Sequence, residues 1–128
     1  MTHQTIKEFT TDGCSGGMSW FWNNILKRET PWRHACVVHD LQYWLGGTAD
    51  DRLNADKRLY RDVVENGHPI IAALMFLAVR IGGSAYLPTP YRWGYGHGYL
   101  ERNYDERDLR DIEIARRICQ ERNIALDF

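Results

Sequence analysis

A mostly helical fold is what this sequence of 128 residues predicts, on three observations. No stretch alternates apolar and polar residues for long enough to demand a sheet. Apolar residues recur instead every three and four positions, in segments of helical length. Those segments stop at Gly46-Gly47, Asn66-Gly67 and Gly82-Gly83, the residue types that end helices.

The length suits one domain over residues 1–128, with room for a single core. Apolar residues make up 44% of the chain, which excludes disorder by composition. Sixteen basic against seventeen acidic residues leave a net charge of -1, and no basic run interleaves with aromatics, so nucleic acid is excluded as a partner. The longest apolar run, Pro69 to Val79, ends at Arg80, short of the roughly 20 residues a membrane span needs. The opening MTHQTIKEFTTDG lacks the apolar centre of a secretory leader. The chain is therefore expected to be cytoplasmic, exported by another route, or a mature form. Cys14, Cys36 and Cys119 permit one disulfide with a thiol left over, and the count alone does not choose a compartment.

Residues 1–19 carry Gly13, Gly16 and Gly17 among Thr, Ser and Asp, and read as loop. Trp20 to Lys27 is a short helix at best. The next helix takes Thr30 as N-cap and Pro31 in its first turn, and runs to about Leu45. From Thr48, the series Ala49, Leu53, Asp56, Leu59, Tyr60, Val63 and Val64 marks a helix ending near Asn66-Gly67, with Asp50 and Asp51 suited to its N-terminal dipole. Pro69 starts a helix that is apolar on nearly every face through Ile81, which suggests a central core element. Tyr86 to Tyr99, with RWGYGHGY, reads as an ordered loop packed by its rings. Asp108 to Arg122 is a charged amphipathic helix with Leu109, Ile112, Ala115, Ile118 and Cys119 on one side. It reads as a solvated helix packed on the core, with an assembly contact as the alternative.

The chemistry lies in PWRHACVVHDLQYWLGG, residues 31–47. His39 and Tyr43, four apart, share a helix face, while Asp40 is turned by roughly 100°. A histidine acting as general base needs an acceptor on its second nitrogen to fix its tautomer. Asp56 offers one: helices joined by a short glycine turn pack antiparallel, and His39 and Asp56 lie at similar distances from Gly46-Gly47. Tyr43 can then donate to Asp56 as well. Asp40 addresses a different neighbour, and Ca²⁺ suits it, since this cation takes carboxylates and backbone carbonyls in flexible geometry. The glycine-rich TDGCSGG, Thr11 to Gly17, is the loop able to turn carbonyls inward, and Asp12 adds a second carboxylate. A cation between Asp12 and Asp40 lies beside His39, an arrangement for activating water against an ester. Other readings stand beside this one. His39 also fits a satisfied core histidine, Asp56 an exposed helix residue paired with Arg52 at i,i+4, and the set His39, Asp40 and Asp12 a transition-metal hydrolase. His34, five residues before His39, reads as surface, and His97 as part of a structural loop.

With these residues the chain resembles the secreted phospholipase A2 superfamily, most closely its bacterial and fungal branch. The resemblance rests on DGCS at Asp12 to Ser15, ACVVHDLQY at Ala35 to Tyr43 and RLNADKRLYRD at Arg52 to Asp62, within about residues 10–65. The family implies an all-α enzyme in which two antiparallel helices carry the His/Asp site, beside core and C-terminal helices and a metal-binding loop. It implies hydrolysis of the sn-2 ester of glycerophospholipids with Ca²⁺, a phospholipid or membrane surface as partner, and export from the cell. Residue by residue, His39 resembles the general base, Asp56 the carboxylate that orients it, and Tyr43 the tyrosine bonded to that carboxylate. Asp12, the carbonyl of Gly13, and Asp40 resemble the calcium ligands. Cys14 and Cys36 match a pair that this branch joins as a disulfide, while Cys119 has no counterpart. The chain is also similar to little-characterised bacterial and phage proteins with a TDG loop, HD and AD helices and a VR-GG ending, here Val79-Arg80 and Gly82-Gly83. That second likeness implies an alternative: a catalytically silent phage or secretion-related structural or interaction protein with the same fold. A metal-dependent hydrolase of another ester is a further alternative.

Overall fold

The computed structural model describes residues 6–9, 33–88, 92–101 and 103–126. Among them are four α-helices and no strand: α1 Arg33–Leu45, α2 Ala49–Glu65, α3 Pro69–Gly82 and α4 Leu109–Arg122. The all-α class expected from the sequence is observed. The expected helix at Trp20–Lys27, the Thr30-Pro31 start, and the loop holding Asp12, Gly13 and Cys14 lie outside the described residues. None of the four helices is long and apolar enough to cross a membrane.

The starts of α2 and α4 follow from side-chain acceptors. Thr48 caps α2 by accepting from Asp51 N at 3.2 Å, and Asp51 Oδ2 in turn accepts from Thr48 N at 3.0 Å. This reciprocal box satisfies amides that the first turn leaves without partners. Asp108 caps α4 by accepting from Arg110 N at 2.8 Å, and Asn123 closes that helix in the left-handed region, φ 58°. Between α1 and α2, Gly46 has φ 78°, and a Cβ there would stand 3.1 Å from the Cα of Gly94. Glycine is required at Gly46 on both grounds.

The core places α1, not α3, at the centre. One side of α1 packs Val38, Leu41, Trp44 and Leu45 against Ala115 and Cys119 of α4 and against Ile6 and Phe9. Its other side packs Ala35 and Cys36 against Leu59 and Val63 of α2 and Ala72 and Met75 of α3. The expectation of a central α3 is corrected accordingly. Only Ala72 and Met75 of that helix are buried, while Ile70, Leu74, Leu77 and Ile81 are exposed. These four are spaced 4, 3, 4, so they form one stripe facing away from α2. An apolar pattern all round a helix shows that some face is buried, but not how many.

The RWGYGHGY segment serves the end of α1. Helical C-termini leave their last carbonyls without intrahelical donors, and here five in a row, residues 43–47, find donors, four of them from this segment. Tyr43 O accepts from Gly94 N, Trp44 O from Gly96 N at 3.0 Å, and Leu45 O from His97 Nε2 at 3.2 Å. Gly46 O accepts from Arg107 Nε at 2.7 Å, and Gly47 O from Trp93 Nε1 at 2.8 Å. His97 also stands 3.7 Å from Asp111 of α4, which gives it the structural role the sequence suggested. The expectation of a loop held by its rings holds for Trp93, fully buried, but not for Tyr86 and Tyr99, which are exposed. Two of the five donors are backbone amides, and alternating glycines allow their approach. A Cβ on Gly96 would sit 2.5 Å from the carbonyl of Trp44.

Candidate active site

His39, Tyr43 and Asp56 meet across the α1–α2 seam. His39 Nε2 lies 2.8 Å from Asp56 Oδ1, and Tyr43 OH donates to the same oxygen at 2.7 Å. The pairing of residue 39 with 56 and of 43 with 52 runs the two helices in opposite senses, as the short glycine turn requires. Asp56 is wholly buried and His39 is 7% exposed. The alternative of an exposed Asp56 paired with Arg52 is thereby overturned: the carboxylate bonds are to His39, Tyr43 and Arg80.

A wholly buried carboxylate needs compensation, or it takes up a proton. Burial pushes the Asp56 carboxyl up. The hydrogen bond and charge of His39 and the bonds from Tyr43 and Arg80 outweigh it, and the net direction is down from the ordinary value of 3.8. An ionised Asp56 has no proton to give, so the proton in the 2.8 Å bond sits on His39 Nε2. The other ring nitrogen, Nδ1, is then the basic one, and it has no protein partner among the described residues. An imidazole held by a fixed anion in this way has the arrangement that general-base chemistry needs.

Tyr43 is locked from three directions. Its hydroxyl accepts from Arg52 Nε at 3.1 Å while donating to Asp56, its ring lies 4.4 Å from that of His39, and Trp93 meets it edge-on at 4.9 Å. Burial first, then the neighbouring Asp56 charge, pushes its hydroxyl far above the ordinary tyrosine range, so it remains a donor. Arg52 is 6% exposed and reaches beyond Tyr43. Its Nη2 donates to the carbonyls of Val79 and Arg80 at 2.8 and 2.9 Å, and its Nη1 to Tyr104 OH at 3.3 Å. A cation therefore stands at the C-terminal end of α3, where the helix dipole favours one. Gly83 makes room: a Cβ there would lie 2.7 Å from the Tyr43 ring and hydroxyl.

Sequence reasoning brought His39, Tyr43 and Asp56 together but missed Arg52, Arg80 and Trp93. The two arginines stood inside RLNADKRLYRD and the VR-GG ending, where only a mid-helix basic residue beside an otherwise apolar face offered a signal. Asp40 follows His39 on α1, half-buried and engaged. Asp12 and Gly13 lie outside the described residues.

One expectation is corrected here. Among the described residues no group of three or more His, Cys, Asp or Glu side chains is placed to hold a metal ion. Of the expected calcium ligands Asp12, Gly13 and Asp40, only Asp40 falls among the described residues. The donor set described here does not amount to a cation site, and no chemical step below is routed through one. Cys36 is buried and disulfide-bonded, Cys119 is a free, buried thiol, and Cys14 lies outside the described residues. Burial pushes the Cys119 thiol up, away from reactivity.

Comparison of the chain with protein families, curated proteins and solved structures gave no match.

Proposed function

We propose that this chain is a hydrolase of the phospholipase A2 kind, which cleaves the sn-2 ester of glycerophospholipids with His39 as general base. The observation that carries the reading is the 2.8 Å bond from His39 Nε2 to a wholly buried Asp56, with Nδ1 lacking a protein partner among the described residues. His39 Nδ1 takes a proton from water as the water oxygen attacks the ester carbonyl. Asp56 holds the ring and stabilises the imidazolium, and Tyr43 fixes Asp56. The imidazolium then returns the proton to the departing glycerol oxygen, leaving lysophospholipid and fatty acid. Calcium dependence belongs to the same proposal: Asp40 from α1, with Asp12 and Gly13, would hold the ion, which when bound would supply positive charge beside the ester. A phospholipid surface as partner and export from the cell complete the reading.

Release of fatty acid from phosphatidylglycerol vesicles, with calcium and after chelation, tests it. His39→Ala is expected to lower turnover at least 10²-fold while leaving the thermal transition within a few degrees of the parent. Undiminished turnover in that variant would sink the assignment. The exposed apolar stripe of α3 favours a second reading, a catalytically silent structural or interaction protein built on the same helices. Calcium binding by the parent protein without fatty-acid release selects that second reading.

A further inference from the structure

The geometry points to Arg80 as a positioning residue, which fixes the rotation of the Asp56 carboxylate so that one oxygen is always presented to His39. The inference deepens the hydrolase reading and rests on it for why the orientation matters, although the orientation itself does not depend on turnover.

Asp56 divides its oxygens between two helices. Oδ1 takes both donors from α1, His39 Nε2 at 2.8 Å and Tyr43 OH at 2.7 Å, and Oδ2 takes Arg80 Nη1 from α3 at 2.7 Å. The terminal torsion of an aspartate is broad and two-fold, so a carboxylate with donors on one oxygen only can turn about its axis. A charged donor on the second oxygen removes that freedom, because either rotation breaks a charge-assisted bond inside the protein.

Arg80 is itself held in place. Its carbonyl accepts from Arg52 Nη2 at 2.9 Å, Arg52 Nε donates to Tyr43 OH at 3.1 Å, and Tyr43 returns to Asp56. The bonds run in a closed ring from Asp56 through Arg80, Arg52 and Tyr43 back to Asp56, crossing α1, α2 and α3. Arg80 is the member of that ring with the most solvent contact, its side chain being 31% exposed. A charge that reaches water without leaving its partner adds direction at little desolvation cost. The ring thus rotates neither with Tyr43 alone nor with Arg52 alone: Arg80 is the piece that tells the two oxygens of Asp56 apart.

The test reads the bond directly. The His39 Nε2–H proton is observed by ¹H–¹⁵N nuclear magnetic resonance at one fixed neutral pH, and its exchange with solvent is measured in the parent, in Arg80→Met and in Arg80→Lys. Arg80→Met is expected to speed that exchange at least tenfold while the backbone amides of α2 keep their protection. Arg80→Lys, which restores a cation without the planar fork, is expected to bring it back to within about fivefold of the parent, but not below twofold. A packing role alone would loosen the α2 amides together with the imidazole proton and would not be rescued by lysine. Unchanged exchange in Arg80→Met overturns the inference. Should Arg80→Met fail to fold, Arg80→Lys decides alone, with exchange unchanged from the parent overturning it. Absence of fatty-acid release by the parent protein counts against the hydrolase reading and leaves the exchange result standing.

Discussion

The seam between α1 and α2 and the outer stripe of α3 invert the ordinary distribution of residue types. Inside, the seam holds a carboxylate, an imidazole, a phenol and a guanidinium, all at or below 7% exposure. Outside, α3 shows water Ile70, Leu74, Leu77 and Ile81, each more than half exposed. Apolar groups on a surface forgo a gain, whereas polar groups in a core incur a cost unless every one is paired. The two regions therefore tolerate change very differently, and substitutions in each measure that difference.

Asp56→Ala carries the largest expected effect. It removes the acceptor of three donors at once and leaves Arg80 without its anion. Breaking a buried ion pair costs about 3–5 kcal/mol, and the partial exposure of Arg80 places this case near 3 kcal/mol. Denaturant unfolding measures it, and a loss under 1 kcal/mol would mean that the seam is not the tightly paired element described here. The same residue sets a pH dependence. Its folded-state pKa is depressed, so its stabilisation is fully present above the ordinary value of 3.8 and is lost as pH falls through the folded value. Asp56→Asn lacks that step, so its stability is expected to fall less than that of the parent below about pH 4.

The next effect comes from space rather than charge. Gly83 lies beside the seam, and a methyl group there would stand 2.6 Å from Val79 O and 2.7 Å from the Tyr43 ring and hydroxyl. Gly83→Ala is expected to cost about 1–3 kcal/mol and to displace Tyr43 from Asp56. Gly82, one residue earlier, has nothing within 4 Å of a built Cβ, so Gly82→Ala is expected to leave stability unchanged or slightly raised. Equal losses from the two alanines would erase the distinction between the packed side and the open side of α3.

What could be read beforehand divides along the same line. His39, Tyr43 and Asp56 were legible because the period of a helix and the shortness of the Gly46-Gly47 turn fix which residues of two neighbouring helices face each other. Arg80 and Arg52 were not, because their partners depend on how α3 crosses α2, and no local pattern states a crossing. The place of α3 was misread for a related reason: its sequence offers apolar residues in every direction, and α2 and α1 cover only the side with Ala72 and Met75. The capping box at Thr48 and Asp51 stands three residues apart in the sequence and was available to reading, as was the alternation of glycines at 94, 96 and 98. Glycines at every second position of an aromatic loop signal backbone approaching backbone, and here that approach ends α1.

The smallest effect is expected on the outer stripe, and it is the most direct test of the inversion. Leu77 is 56% exposed, and lysine matches leucine closely in helix propensity. Leu77→Lys therefore leaves the backbone preference unchanged and disturbs little burial, and its expected cost is within about 0.5 kcal/mol. Four exposed aliphatic side chains in one stripe contribute to what the surface can meet and almost nothing to what holds the chain folded. Thermal and denaturant unfolding at low protein concentration measure this cost apart from any association. A loss above 1 kcal/mol under those conditions would show Leu77 packed in solution, and α3 would then rank with the α1–α2 seam as part of the interior.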